Sequence, residues 1–173
     1  MTKKIASIFG SARTPEGTAA WRQAYELGRR LAQAGWIVAN GGYDGTMAAV
    51  SQGARDAGGY VIGVTCAAFD PLPPNPWLSE ERKMPTLIAR LEAITSLGDA
   101  FIALPGGIGT LTEVTLVWSL LQTGSLSPRP FVLVGAPWAG LVDAFKRYTE
   151  MGDSILALAQ LAADVEEAIS LLK

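Results

Sequence analysis

Short apolar runs alternate along the chain with longer stretches in which apolar residues return every three or four positions. Ile5–Phe9, Trp36–Ala39, Tyr60–Thr65, Ala100–Leu104 and Phe131–Val134 are runs of strand length, most of them closed by glycine, asparagine or proline. Between them, Thr18–Ala34, Thr46–Ala57, Met84–Leu97, Leu111–Gln122 and Leu141–Met151 carry the helical period. In the first of these, Trp21, Ala24, Tyr25, Leu27, Gly28 and Leu31 share a face, and Gly35 ends the helix. In the third, Met84, Leu87, Ile88, Leu91 and Ile94 form the stripe, with Pro85 in the first turn. Asp164, with Glu167 three residues later, predicts the capped start of a last helix.

Strands alternating with helices, and strands apolar on both faces, predict a parallel sheet covered on each side. The fold class is therefore α/β: a Rossmann-like, doubly wound parallel sheet in three α/β/α layers, one domain over residues 1–173. One stretch departs from this rhythm. Cys66–Ser79 contains Pro71, Pro73, Pro74 and Pro76, which exclude regular structure. Phe69, Leu72, Trp77 and Leu78 can anchor it, so it reads as an ordered active-site loop rather than a linker.

Composition narrows the chemistry. The chain has 173 residues, 49% apolar and 17% charged, enough to bury a core without disulfides. A net charge of −2 offers no basic stripe for nucleic acid. There is no histidine and one cysteine, which excludes Ser-His-Asp and Cys-His catalysis, the common zinc sites and an internal disulfide. Cys66 reads as a small buried residue. Lys3 and Lys4 precede an apolar run too short for a signal peptide, and no run reaches 18 apolar residues. No membrane partner is expected, and the expected location is the cytoplasm.

Three glycine clusters follow three of the predicted strands: Gly10-Ser11-Ala12-Arg13, Gly41-Gly42-Tyr43-Asp44-Gly45-Thr46 and Pro105-Gly106-Gly107-Ile108-Gly109-Thr110. In a parallel sheet all three lie at the carboxyl edge, where ligands of such folds bind. Each alone reads as a strand-to-helix turn; together they point to an anion site. Glycines let the backbone approach a phosphate, and the helix that follows aims its free N–H groups there. Ser11 and Thr110 add hydroxyls, and Arg13 a guanidinium. Thr112 can add a further hydroxyl. Glu113 lies one turn into the helix, at the mouth of the site. Neither a Walker loop nor the G-x-G-x-x-G fingerprint is present. Arg82 and Lys83 precede a helix beside the proline-rich loop. A basic pair is ordinarily a solvated one, but this position favours ligand contact. Trp118, with Val114, Val117 and Leu121, reads as core or subunit interface rather than a stacking platform.

Residues Pro105 to Glu113, PGGIGTLTE, match in full the Pro-Gly-Gly-x-Gly-Thr-x-x-Glu motif of the LONELY GUY family, proteins long described as lysine decarboxylases. Gly41-Gly42-x-x-Gly-x-Met, ending at Met47, and Gly10-Ser11 resemble the family as well. The resemblance implies hydrolysis of the N-glycosidic bond of a nucleoside 5′-monophosphate, AMP or a cytokinin riboside 5′-monophosphate, to the free base and ribose 5-phosphate. It implies no metal, no organic cofactor, and a homodimer or higher homo-oligomer. It places the essential glutamate on Glu113 and the essential arginine on Arg82. The family's Met-His-x-Arg-Lys is here Ser79-Glu80-Glu81-Arg82-Lys83, which keeps only the Arg-Lys pair. Molybdenum-cofactor carrier proteins are similar to this family, so a non-catalytic carrier of a pterin phosphate is the alternative; a nucleotide sensor is a weaker one. Decarboxylation by pyridoxal phosphate needs a suitably placed lysine, and none of Lys3, Lys4, Lys83, Lys146 and Lys173 follows a predicted strand in that way.

Overall fold

The computed structural model describes residues 3–172; Met1, Thr2 and Lys173, at the ends of the expected domain, lie outside the described residues. Seven strands form one sheet: β1 (Ile5–Phe9), β2 (Ile37–Asn40), β3 (Val61–Cys66), β4 (Glu80–Met84), β5 (Ala100–Ala103), β6 (Phe131–Val134) and β7 (Gln160–Ala162). Their order is β4-β3-β2-β1-β5-β6-β7, and every neighbouring pair is parallel. Among the described residues seven α-helices accompany them: α1 (Ala19–Gln33), α2 (Thr46–Asp56), α3 (Leu87–Leu97), α4 (Ile108–Gln122), α5 (Ala136–Tyr148), α6 (Asp153–Leu156) and α7 (Val165–Ser170), with one 3-10 turn at Ala67–Phe69 after β3.

The apolar runs are continuous because both faces of the sheet are covered, and alternate residues serve different cores. Ala100 and Ile102 face one side with Leu27, Leu31, Val50 and Ala168, from α1, α2 and α7. Phe101 and Ala103 face the other with Ile94, Val117, Trp118 and Trp138, from α3, α4 and α5. Fully burying a side chain such as Leu27 or Phe101 stabilises the fold by about 1.5–3 kcal/mol. Trp118 belongs to this second core. It is 3% exposed, packs edge-on to Phe131 and Phe145, and donates its indole N–H to the Ile155 carbonyl at 2.6 Å.

Helices α1, α3 and α7 start at a side-chain cap. Thr18 Oγ1 accepts the Trp21 N–H, and Asp164 Oδ1 accepts the Glu167 N–H. Glu167 in turn reaches back to the Ala163 N–H, one residue before the cap. Helix α3 starts at Leu87, not at Met84, because Met84 ends β4 and Thr86 caps the helix through the Ala89 N–H. Helix α4 starts at Ile108, three residues before the expected Leu111, which brings Gly109 and Thr110 into its first turn. Helix α5 starts at Ala136 rather than Leu141, with Pro137 in its first turn.

Two strands lie outside the apolar pattern. Strand β4 is the edge strand Glu-Glu-Arg-Lys-Met, paired to β3 from Ile62↔Glu80 to Cys66↔Met84. Its charges leave an open sheet edge unattractive to another strand. Strand β7, Gln160–Ala162, is too short to carry a pattern.

The order reverses at β1. Strands β2, β3 and β4 extend one way from it, and β5, β6 and β7 the other. The loops after β1 and β5 therefore diverge to opposite faces and leave a crevice between them, the usual ligand position in open α/β sheets.

Candidate active site at the sheet switch point

That crevice is a cavity of about 550 Å³, in the range of small-molecule sites. One side is backbone: Gly10, Ser11, Ala12 and Arg13 after β1, and Gly107, Ile108, Gly109 and Thr110 at the start of α4. The other side is apolar: Met47 from α2, Phe69 and Leu72 from the proline-rich loop, and Leu87 from α3. Arg90, Glu113, Tyr43 and Gly41 lie between.

Glycine 107 and glycine 109 have ordinary negative φ, and a Cβ at either would meet nothing within 4 Å. Packing does not require glycine at these two positions. A side chain there would stand in the space above the first turn of α4, where unpaired N–H groups and the positive end of a 15-residue helix favour an anion.

The loops around the cavity are fastened to one another. The Thr46 N–H and hydroxyl both donate to the Ser11 carbonyl, at 2.8 and 3.1 Å. This approach needs Gly45, whose φ is +68° and whose Cβ would collide with the Ser11 and Ala12 backbone. Ser11 Oγ accepts the Arg13 N–H at 3.0 Å, which turns the β1 loop back on itself.

Arg90 and Glu113 hold the centre. Each residue is 7% exposed, and Arg90 Nη1 lies 3.7 Å from Glu113 Oε1. Arg90 Nε donates to the Val64 carbonyl at 2.7 Å and Nη2 to the Gly41 carbonyl at 3.2 Å. A Cβ on Gly41 would occupy the position of that guanidinium, so glycine is what admits it. The rings of Tyr43 and Phe69 each lie 5.9 Å from the guanidinium carbon. Burial pushes the Glu113 carboxyl up to about 7, against the opposing pull of Arg90.

Of the residues singled out in the sequence, Gly10, Ser11, Arg13, Gly41, Gly107, Gly109, Thr110 and Glu113 line the cavity. Gly42, Gly45, Thr46, Pro105 and Gly106 do not; they support it from behind. Gly106, for example, leaves room for Thr110 and the Ser11 N–H. The Thr112 hydroxyl is turned away, donating to the Ile108 carbonyl at 2.8 Å. Arg82 and Lys83 lie apart from the cavity. They lie on edge strand β4, where Arg82 Nε donates to Glu80 Oε1 at 2.6 Å and Lys83 Nζ pairs with Asp70 Oδ1 at 2.6 Å. Neither lines the cavity, because β4 is two strands away from β2 and three from β1. The arginine opposite Glu113 is Arg90. Its signal was present in the sequence: a charged residue inside the apolar stripe Leu87, Leu91, Ile94.

The chain matches the family model described as possible lysine decarboxylase over residues 47–172. It is 35% identical over 138 residues to a cytokinin riboside 5′-monophosphate phosphoribohydrolase of Rhodococcoides fascians, covering 77% of this chain and 68% of that protein. It is 35% identical over 134 residues to the cytokinin riboside 5′-monophosphate phosphoribohydrolase LOG of Oryza sativa subsp. japonica, covering 76% of this chain but 54% of that protein. Among solved structures it is similar to the molybdenum cofactor carrier protein of Chlamydomonas reinhardtii, with a TM-score of 0.75, 31% identity, and 98% and 95% of the two chains covered. The molybdenum cofactor binding protein of Rippkaea orientalis, at 24% identity and a TM-score of 0.80 over 99% and 96% of the two chains, shares the fold.

Proposed function

Because the chain belongs to the LONELY GUY family, we propose that it is a phosphoribohydrolase that cleaves the N-glycosidic bond of a nucleoside 5′-monophosphate, AMP or a cytokinin riboside 5′-monophosphate. The observation that carries this reading is the buried Arg90–Glu113 pair beside the glycine-lined start of α4.

The cavity divides as such a substrate does. The phosphate takes the first-turn N–H groups of α4, with Ser11, Arg13 and Thr110 around it. The ribose then lies against Glu113, and the base against Met47, Phe69, Leu72 and Leu87. As the C1′–N bond breaks, its electron pair leaves with the base, which takes up a proton, and positive charge builds on the ribose ring. The Glu113 carboxylate stabilises that charge and orients the water whose oxygen bonds to C1′; the proton this water loses balances the one the base takes up, so the products are the neutral base and ribose 5-phosphate. Arg90 favours the ionised form of Glu113. Phosphate binding supplies orientation.

Lysine decarboxylation is not the reading the site supports. Lys83 is paired with Asp70, Lys146 with Asp153, and Lys4 lies over Trp36; among the described residues no lysine lines the cavity, and Lys173 is outside them. No described helix is long and apolar enough to cross a membrane. We place the reaction in the cytoplasm and take the working form as a homodimer or higher homo-oligomer, given exposed Ile88 and Ile108 near the cavity mouth.

The test is turnover. Purified protein is incubated with AMP and with isopentenyladenosine monophosphate, and free base and ribose 5-phosphate are sought by chromatography. Release that disappears in Glu113→Gln supports the hydrolase; absence of release from both substrates overturns it. A second reading, a pterin-phosphate carrier, is favoured by one observation: the likeness to the Chlamydomonas carrier runs over nearly the whole of both chains. Tight binding of a pterin phosphate without nucleotide turnover would select it.

A further inference from the structure

The proline-rich loop forms one wall of the cavity, yet Pro71, Pro73, Pro74 and Pro76 have no N–H with which to fasten it. Asn75 fills that role. It is 4% exposed in the middle of an otherwise exposed stretch. Its N–H donates to the Gly42 carbonyl at 2.8 Å, its Nδ2 to the Tyr43 carbonyl at 3.0 Å, and its Oδ1 accepts the Trp77 N–H at 3.1 Å. From the other side, Asn40 Oδ1 accepts the Gly42 N–H at 2.8 Å, and Asn40 Nδ2 donates to Ser51 Oγ at 2.9 Å. The Gly42–Tyr43 segment is thus gripped from two directions.

What that segment carries is the seat of Arg90. Gly41, just before it, supplies the carbonyl that Nη2 of Arg90 uses. Tyr43 lies beside the guanidinium, and its hydroxyl is fixed by both the N–H and the carbonyl of Cys66, at 2.9 and 3.2 Å. Phe69, on the loop that Asn75 anchors, meets Tyr43 edge-on at 5.7 Å and completes the seat. Apart from the Val64 carbonyl on β3, the groups named around Arg90 on its backbone-and-ring side belong to the two loops that Asn75 joins.

We propose that Asn75 is a positioning residue for the Arg90–Glu113 pair: by locking the proline-rich loop to the Gly41–Thr46 loop, it fixes the guanidinium that faces the carboxylate. It touches no substrate. Its kinetic readout rests on the phosphoribohydrolase reading; its structural readout does not.

The experiment compares Asn75→Ala and the milder Asn75→Ser with the wild type. The Glu113 carboxyl is titrated by carbon-13 NMR on glutamate-labelled protein, its signal assigned by its loss in Glu113→Gln. With Arg90 loosened, the Glu113 midpoint should rise by about half a unit or more. With AMP, kcat should fall about tenfold while KM changes less than about threefold. Folded variants with the wild-type midpoint and wild-type kcat overturn the proposal, even if their Tm is lower, because Asn75 would then only stabilise the loop. If the wild type turns over no nucleotide, the hydrolase reading fails, and the Glu113 midpoint alone decides the role of Asn75. If Asn75→Ala does not fold, Asn75→Ser keeps a hydroxyl in place and is read by the same two measurements.

Discussion

Arg90 and Glu113 face each other at 3.7 Å with both side chains 9% exposed, close enough to attract and too far apart to share a hydrogen bond. The spacing follows from the other commitments of Arg90. Nε and Nη2 are held by carbonyls on β3 and on the loop after β2, so Nη1 alone is turned to the carboxylate. Attraction at that distance offsets only part of the cost of burying Glu113, and the carboxyl stays near 7. It therefore changes charge in the range where it is expected to act.

The reaction described above uses the carboxylate. kcat/KM for AMP should rise with pH through an apparent pKa near 7, where burial holds the Glu113 carboxyl. Below it, each pH unit should lower the rate about tenfold. Rates measured from pH 5.5 to 8.5 decide this, and a flat profile removes Glu113 from the ionisation that controls turnover.

Stability should show the opposite trend. An acid whose pKa is about 7 folded and 4.5 otherwise binds its proton better in the folded state between those values. Its contribution is whole below about 4.5 and is lost as pH rises towards 7, by roughly 3 kcal/mol at most. Glu113→Gln removes this dependence. In urea titrations at pH 5 and pH 8, the variant should gain on the wild type at the higher pH. An equal gap at both values would show that Glu113 titrates as it does in the unfolded chain.

The two arginines separate cleanly. Arg90→Leu should lower kcat/KM by at least about a hundredfold, a loss of the size seen when a charged group at a reacting centre is removed. It should also move the rising limb of the pH profile upward, because the opposing charge is gone. Arg82→Ala removes only a half-exposed partner of Glu80 and should leave kcat/KM within about twofold. A large loss in Arg82→Ala with little change in Arg90→Leu would reverse the assignment made here.

Gly109 tests the anion site without touching a charge. Gly109→Val puts two methyl groups above the first turn of α4, where nothing now stands within 4 Å of a Cβ. The fold should be kept, with a Tm within a few degrees of the wild type, since a loss of about 1 kcal/mol moves a domain of this size by roughly 2–4 °C. AMP binding, measured by calorimetry, should weaken at least about tenfold. Unchanged affinity would place the phosphate elsewhere.

The strands that sit within the sheet were legible because burial on both faces leaves an unbroken apolar run, as in Phe101–Ala103 and Phe131–Leu133. The convergence of the glycine loops followed from the parallel sheet, and Glu113 followed from its place one turn beyond them. Strand β4 was not legible. An edge strand is held by backbone hydrogen bonds to one neighbour, and those leave no mark on Glu80-Glu81-Arg82-Lys83. That loss carried a second one with it. With β4 hidden, the pair Arg82-Lys83 reads as the approach to a helix beside the proline-rich loop, and Arg90 reads as one charge within the stripe of α3. Apolar periodicity reports which face of a helix is buried; it does not say that a charge on that face has found carbonyl partners.

The single cysteine, buried at the end of β3 with its backbone tied to the Tyr43 hydroxyl, makes the folded chain silent towards thiol reagents. A cysteine introduced at Leu72, at the rim of the cavity, would then be labelled alone, without first removing the native thiol. A fluorophore or spin label there would report the arrival of a ligand directly.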